Sequence, residues 1–247
     1  MDRLIYTAMT GAKHAFLQQA GVAHNLANAS TVGFRAMEHK FRAVPVQGEG
    51  APTRAFVVDA SVVDVFDQGP LMATGRPLDV AVQGAGWISV ETPDGKEAYT
   101  RAGNLQVGVN GQLQTASGLN VLGDGGAIGI PPDNSIMIAP DGTVSAIPLF
   151  GVPNNVNVVG RVKLVNPPEN ELVRGDDGLF RTKNGQPANV DETVRLAPEA
   201  LEGSNVNPVD AMVNMISLAR QFEMQIKMLQ MADANASKAS QVLSLNS

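Results

Sequence analysis

The chain has no cysteine, which excludes disulfides, thiolate-bound zinc, iron–sulfur clusters and cysteine nucleophiles together. Basic residues are also in deficit. Eighteen Lys and Arg face twenty-four Asp and Glu, for a formal charge of −6 across 247 residues. A nucleic-acid binder carries a basic excess or a basic face, so nucleic acid is not an expected partner. Aromatic side chains are scarce, with 8 Phe, 2 Tyr and 1 Trp, too few for stacking platforms to be the main business. Nowhere do eighteen apolar residues run together, so no spanning helix and no direct membrane insertion are expected. The opening Met1-Asp2-Arg3-Leu4-Ile5 lacks a basic start, and Thr7, Thr10, Lys13, His14, Gln18 and Gln19 break up the next stretch before an apolar run can form. Any export is therefore expected to proceed without a cleaved signal peptide.

The residues that are present are unevenly distributed. Residues 1–35 set Arg3, Lys13 and Arg35 against Asp2, and residues 209–247 balance Asp210, Glu223 and Asp233 with Arg220, Lys227 and Lys238. The whole negative excess therefore falls on the middle. The same middle holds the turn dipeptides Asp94-Gly95, Asn110-Gly111, Asp141-Gly142, Asp177-Gly178 and Asn184-Gly185, and neither end contains one. Short apolar runs between them (78–82, 87–90, 98–101, 105–107, 112–115, 119–122, 136–138, 144–147, 158–165 and 179–182) predict antiparallel strands in a sandwich or barrel. Residues 36–75 are punctuated by Pro45, Gly48, Gly50, Pro52, Gly69, Pro70 and Gly75. They predict an extended arm with a strand or two, 56–58 and 62–66 being candidates.

The ends predict helices. Asn207 can cap, Pro208 suits the first helical position, and Asp210 meets the positive end of the helix dipole. From there to Leu243 there is neither Gly nor Pro. Met212, Met215, Ala219, Phe222, Ile226, Leu229, Asp233, Ala236, Ser240 and Leu243 follow 3/4 spacing, a heptad seam along a helix of roughly 50 Å. A second flank of Val209, Val213, Ile216, Met224, Met228 and Met231 widens the stripe, so this helix needs neighbours on more than one side. Near the start, Ile5, Ala8, Ala12, Ala15, Gln19, Val22 and Leu26 repeat the spacing, although Gly11 and Gly21 each cost about 1 kcal/mol relative to Ala. Two such helices at opposite ends suggest a structure completed by association.

Candidates for chemistry are weak. On a helix His14 and His24 lie about 80° apart around the axis, and His39 falls beyond its end, so packed or solvated histidines fit better than a metal site. Gly123-Asp124-Gly125-Gly126 lacks the Lys-Ser/Thr ending of a phosphate loop, and Pro131-Pro132 comes next instead of a helix. Asp176-Asp177 reads as a turn, and Glu91 with Glu97 as the two sides of a hairpin. No Gly-x-Ser-x-Gly elbow is present. The methionines from Met212 to Met231 read first as a pliable packing face. No catalytic residue, metal site or cofactor is expected.

One resemblance covers nearly the whole chain. Asn25-Leu26-Ala27-Asn28-Ala29-Ser30-Thr31-Val32-Gly33-Phe34-Arg35 resembles the N-terminal signature of bacterial flagellar rod and hook proteins. Leu201-Glu202-Gly203-Ser204-Asn205-Val206-Asn207-Pro208-Val209, continuing to Met212-Val213, resembles that family's entry into its C-terminal helix. Arg76-Pro77-Leu78-Asp79-Val80-Ala81-Val82-Gln83-Gly84 and Tyr99-Thr100-Arg101-Ala102-Gly103-Asn104 are similar to the start of its shared β domain. Val32 and Ala102 stand where Pro or Asn is common. The opening nine residues, Trp87 and Arg220-Gln221-Phe222-Glu223-Met224-Gln225 resemble the proximal-rod branch more than the distal-rod branch, and the length excludes a hook protein.

The resemblance implies a non-enzymatic structural subunit of the proximal rod in the flagellar basal body. It implies export by the flagellar type III apparatus and assembly, across the periplasm, with other rod proteins and further copies of itself. The expected architecture is mainly β with terminal α-helices: helix and signature over 1–35, an arm over 36–75, an antiparallel β domain over 76–203, and a C-terminal helix over 204–247. The terminal helices form an inner coiled-coil domain. The expected assembly seams are Ile5, Ala8, Ala12, Val22, Leu26, Met212, Met215, Ala219, Phe222, Ile226, Leu229 and Leu243. The signature residues are Asn25, Leu26, Ala27, Asn28, Thr31, Gly33, Phe34, Ser204, Asn205, Asn207 and Pro208. The alternatives are a distal rod protein of the same family and, from a different class, a β-sandwich protein that binds or hydrolyses cell-wall carbohydrate.

Overall fold

A computed structural model describes residues 2–45, 55–149 and 156–244. The side chain of Leu243 and the arm positions Gly48, Gly50 and Pro52 lie outside the described residues. Contacts divide the chain into a helical unit (Met1–Ala29, Ala36–Val65, Val206–Ser247) and a β unit (Ser30–Arg35, Phe66–Asn205). The sequence boundaries at 35, 75 and 203 follow turn chemistry and charge, whereas these follow packing.

In the helical unit, α1 (Asp2–Ala27) packs against α2 (Pro208–Ser244). The start of α2 is set locally. Asn207 Oδ1 accepts from the backbone N–H of Val209 at 3.0 Å and of Asp210 at 3.5 Å, and Pro208 is the first helical residue. Between the helices in sequence, β1 (Met37–Pro45) and β2 (Ala55–Asp64) form an antiparallel ribbon with an irregularity between Lys40 and Phe41. The arm thus holds one continuous strand where the sequence suggested the separate pieces 56–58 and 62–66. Its partner β1 was legible as an alternation of Met37, His39 and Phe41 with the exposed Glu38, Lys40 and Arg42. Phe41 receives the His14 ring edge-on at 5.3 Å and lies parallel to His39 at 6.2 Å, so two of the three histidines pack against an aromatic ring.

The β unit contains β3 (Leu71–Ala73), β4 (Val80–Gln83), β5 (Trp87–Glu91), β6 (Glu97–Thr100), β7 (Leu105–Val107), β8 (Leu113–Thr115), β9 (Asn120–Gly123) and β10 (Gly126–Ala127). It continues with β11 (Asn134–Ile138), β12 (Thr143–Pro148), β13 (Asn157–Arg161), β14 (Leu164–Val165), β15 (Leu172–Arg174), β16 (Phe180–Thr182), β17 (Arg195–Pro198) and β18 (Ala200–Glu202). The largest sheet runs β15-β16-β6-β5-β9-β8-β7, with β14 also on β5 and β10 on β9. A second sheet is β11-β12-β13, and β17 pairs with β4 and β18 with β3. Every described pair is antiparallel, as short strands joined by tight turns require. Among the described residues the sheets do not close into a barrel.

The core draws on three of these sheets. Ile88, Val90, Leu105, Leu113 and Val121 from the large sheet share one buried cluster with Ile136, Ile138, Val144 and Ala146 from the second sheet and Val80, Val82 and Leu196 from the β4–β17 pair. Alternation holds on β11 and β12 but fails on β4, where Val80, Ala81 and Val82 are all buried because both of its faces are covered. The five Asp-Gly and Asn-Gly dipeptides turn the chain with glycine φ between 69° and 86°. Gly123 to Gly126 is the turn of the β9–β10 hairpin, and Asp177 Oδ1 accepts from the Leu179 N–H inside its own turn. Glu91 and Glu97 face each other across β5 and β6; Asn120 donates to Glu91 and Lys163 pairs with Glu97 at 2.7 Å.

A second cluster of Trp87, Tyr99, Val165, Leu172 and Phe180 is largely aromatic. The Tyr99 hydroxyl oxygen accepts from the Ala188 N–H at 2.7 Å. Burial pushes its pKa up from 10.0 to about 12, against the pull of that hydrogen bond. For a group whose folded pKa is raised, the associated stability is complete below the unfolded value and drains as pH climbs through the folded one. Absorbance at 295 nm in a Tyr6→Phe variant is expected to rise with a midpoint near 12, and stability to fall between pH 10 and 12. A midpoint near 10 with the fold intact contradicts this placement.

Candidate functional site

Two features stand out from the rest of the surface and core. The first is the pair of helices. On α1, Ala8, Ala12 and Ala15 are buried while Ile5, Val22 and Leu26 are half-buried. These small residues let the α2 backbone come close. Gly11 serves the same end, since a Cβ there would lie 3.0 Å from the Gln225 side chain. On α2 the packed face holds Ala211 and Ala232, both buried, with Met215, Ala219, Phe222, Ile226 and Leu229 half-buried. Met212, at the head of the expected seam, is exposed.

Both helices keep a second apolar face. Tyr6, Met9 and Phe16 are exposed on α1, at 58%, 52% and 61%. On α2 the flank read from the sequence is exposed throughout: Val209, Val213, Ile216, Met224, Met228 and Met231, joined by Met212. A groove of about 670 Å³ runs along it, lined by Val213, Ile216, Arg220, Met224 and Met228. Contiguous apolar exposure of this kind is characteristic of protein–protein or membrane interaction sites and of ligand grooves.

The second feature is where the N-terminal signature goes. Asn25 ends the helical part with a paired contact, its Nδ2 donating to Met37 O at 2.8 Å and its Oδ1 accepting from Met37 N at 3.0 Å. Asn28 Nδ2 donates to the His24 carbonyl at 2.9 Å, beside the Asn28 backbone N–H that reaches the same oxygen at 3.2 Å. Leu26 is half-buried and Ala27 exposed. Ser30–Arg35 then belongs to the β unit. The Thr31 carbonyl accepts from Phe34 N, and Gly33 N donates to the Glu202 carbonyl at 2.8 Å. Gly33 has φ 67, and an added Cβ would lie 2.3 Å from the Arg101 carbonyl carbon, so the position excludes any side chain twice over.

Arg35 and Arg101 share one carboxylate, that of Glu202. Arg35 Nη1 lies 2.6 Å from Oε1 and Arg101 Nη1 3.0 Å from Oε2, with the three side chains 0–4% exposed. Arg101 also donates to the Gly84 carbonyl at 2.7 Å. Burial, helped by the Arg35 charge, pulls the Arg101 guanidinium below its ordinary pKa, and Glu202 opposes this. The Arg35–Glu202 contact is close but not aligned as a hydrogen bond, and Arg35 Nε and Nη2 also find no acceptor among the described residues. Coulomb attraction is therefore the main term holding Arg35. Deleting one member of a buried pair typically costs about 3–5 kcal/mol, because the other is left charged without water.

Aromatic faces extend this charge cluster. The Arg101 guanidinium lies over Trp87 at 5.2 Å, and Trp87 meets Phe180 at 4.6 Å between ring centres. Arg174 lies between Phe180, at 4.9 Å, and the signature's Phe34, at 5.2 Å, while donating to the Arg35 carbonyl. Ser204 is buried and Asn205 Nδ2 donates to the Asp67 carbonyl. In the sequence, Arg35, Arg101 and Glu202 fall inside the motifs without a role of their own, and nothing singles out Arg174. Among the described residues, no group of three or more His, Asp or Glu could hold a metal ion, and no helix is long and apolar enough to cross a membrane.

Three family models match in order along the chain: Flagella basal body rod protein over residues 5–35, Flagellar hook protein FlgE/F/G D1 domain over 81–146, and Flagellar basal body rod FlgEFG protein C-terminal over 197–242. The chain is 48% identical to the flagellar basal-body rod protein FlgF of Salmonella typhimurium and 47% identical to that of Escherichia coli, covering all of both chains in each comparison. The chain belongs to the flagellar basal-body rod protein family. Similarity to the rod protein FlgG is lower, 31% for that of Agrobacterium fabrum over 98% of this chain and 99% of the relative. The family is structural and non-enzymatic, and this chain is a FlgF-type subunit of the proximal rod. That result stands in place of the alternative of a β-sandwich protein that binds or hydrolyses cell-wall carbohydrate.

Gly33→Ala and Gly95→Ala separate steric fit from backbone strain. Both sites have positive φ, but Gly95 opens onto space. We expect Gly95→Ala to cost about 1 kcal/mol and Gly33→Ala about 3 kcal/mol or more, read from denaturant unfolding by the fluorescence of the single Trp. Equal losses contradict the close seating of the signature against Arg101.

Proposed function

We propose that this chain enters the proximal rod through its helical unit and passes torque between axial neighbours through helix-to-helix packing. The carrying observation is the second apolar face of α1 and α2, which stays uncovered after the two helices have packed on each other. In a rod, that surface is buried by terminal helices of other axial subunits, in an inner coiled-coil layer. The seam residues Ile5, Ala8, Ala12, Val22, Leu26, Met215, Ala219, Phe222, Ile226 and Leu229 set the helix pair, and Met212 belongs with the outward face. The sheets of the β unit pack as a sandwich over its larger buried cluster.

Assembly in this reading follows export by the flagellar type III apparatus and occurs across the periplasm. The partners are other rod proteins and further copies of the chain. We further propose that the ends complete their order on docking, where burial of Phe222, Ile226 and Leu229 offsets the entropy of fixing two long helices. Helices kept incomplete until then also restrain premature polymerisation. Far-ultraviolet circular dichroism of the free monomer, compared with a chain lacking 1–30 and 209–247, tests this. Closely similar helical signal supports ordering on docking, and a large loss on truncation refutes it.

The assembly reading has its own test. Phe222→Asp or Ile226→Asp in a cell relying on this gene is expected to abolish rod completion and swimming, while Trp87 emission and unfolding of the β unit stay as in the parent. Normal swimming by both variants refutes the seam.

A further inference from the structure

The chain passes between the two units four times, after Ala29, Arg35, Val65 and Asn205. On the β-unit side, all four passages meet one residue or its immediate neighbours. Ser30–Arg35, which lies between the first two, is held by Gly33 N donating to the Glu202 carbonyl and by Arg35 on Glu202 Oε1. The third, entering at Phe66, is held where Gly69 N donates to the same Oε1 at 3.0 Å. The fourth leaves three residues beyond Glu202, and on the way Gly203 N donates to Pro70 O at 2.8 Å and Asn205 N to Phe34 O at 3.4 Å. The approach leaves no slack: a Cβ on Gly69 would lie 2.1 Å from the Gly203 carbonyl oxygen. Arg101, on Oε2, ties the carboxylate to the aromatic cluster beneath.

We propose that Glu202 is the positioning residue that binds every covalent path between the units into one anchor, so that force carried along the backbone enters the β core together. One carboxylate suits this task because its two oxygens accept from separate elements at once. Oε1 accepts from Gly69 N and is paired by charge with Arg35, and Oε2 accepts from Arg101. Without it, the four passages attach to the β unit separately, and a pull on one is not shared by the others. The force-sharing consequence rests on the rod reading; the anchor itself does not.

Amide hydrogen exchange on the full chain tests the anchor directly. Glu202→Gln is expected to speed exchange at Gly33, Gly69, Gly203 and Asn205 by about tenfold or more, while Leu113 in the core sheet changes little. Should Glu202→Gln fail to fold, Arg35→Gln still decides the matter, because it leaves Glu202 and Arg101 as a balanced pair. It is expected to speed Gly33 and Asn205 while Gly69 keeps its protection. Unchanged exchange at Gly33 in Arg35→Gln, or equal acceleration of Leu113 and Gly69, overturns the anchor. In cells, Arg35→Gln is expected to build flagella whose swimming falls off more steeply than the parent's as medium viscosity rises. Loosened exchange with parental swimming at every viscosity overturns the force-sharing role. Full motility after deletion of the whole gene would instead sink the rod reading, whatever the exchange data show.

Discussion

Glu202 sits between two guanidinium groups in a place that water barely reaches, and that arrangement constrains much around it. A lone buried charge is not tolerated, and two positive charges around one negative are tolerated only if the excess finds other company. Here the excess goes to the Gly84 carbonyl and to the face of Trp87. That fixes where β4, β5 and β18 stand relative to one another within the β unit. Gly33 and Gly69 obey the same constraint, since only residues without side chains let the backbone come near enough for their N–H groups to reach Glu202. A short stretch of the signature, Thr31 to Arg35, is in this sense shaped by a residue close to the other end of the chain.

The helical unit obeys a different logic. Small residues on α1 give close packing along a narrow face, and α2 presents larger side chains to it. Because the shared face is narrow, the large apolar side chains on the remaining arc, Phe16 on α1 and Ile216 and Met224 on α2 among them, are left over. Met is well suited there, being unbranched and adaptable to more than one neighbour. The β unit leans the other way, with two buried clusters of its own and most of its acidic side chains outside, Glu202 and Asp79 excepted. A structural subunit of a rod needs both: a part that is complete alone and a part that completes its neighbours.

Much of this was legible from local chemistry. Asn207, Pro208 and Asp210 announce the start of α2 because capping and dipole effects act over a single turn. The Asp-Gly and Asn-Gly turns announce the hairpins because the left-handed backbone is itself a local demand. Heptad spacing picks out Met215, Ala219, Phe222, Ile226 and Leu229, which are half-buried on α2. The same spacing takes in Met212, which is exposed although its neighbour Ala211 is buried, because each helical position turns about 100° from the last and the packed face there runs through Ala211. The β1–β2 ribbon was half seen. Its alternation was there in Met37, His39 and Phe41, but the Pro- and Gly-rich surroundings read as an irregular arm.

By itself, then, the sequence determined the two terminal helices, many strands and the turns of the middle, the α2 cap, the acidic middle between apolar ends, and the family signature at both termini. Tertiary structure alone decided that Arg35, Arg101 and Glu202 meet, that Arg174 stands between Phe34 and Phe180, and which arc of each helix stays uncovered. The reason is range. Caps, turns and periodicity are interactions between residues a few positions apart, and they leave a readable pattern. Arg101 and Glu202 are 101 positions apart, and an ion pair over that span imposes no spacing, so nothing short of the folded chain reveals that one carboxylate holds both.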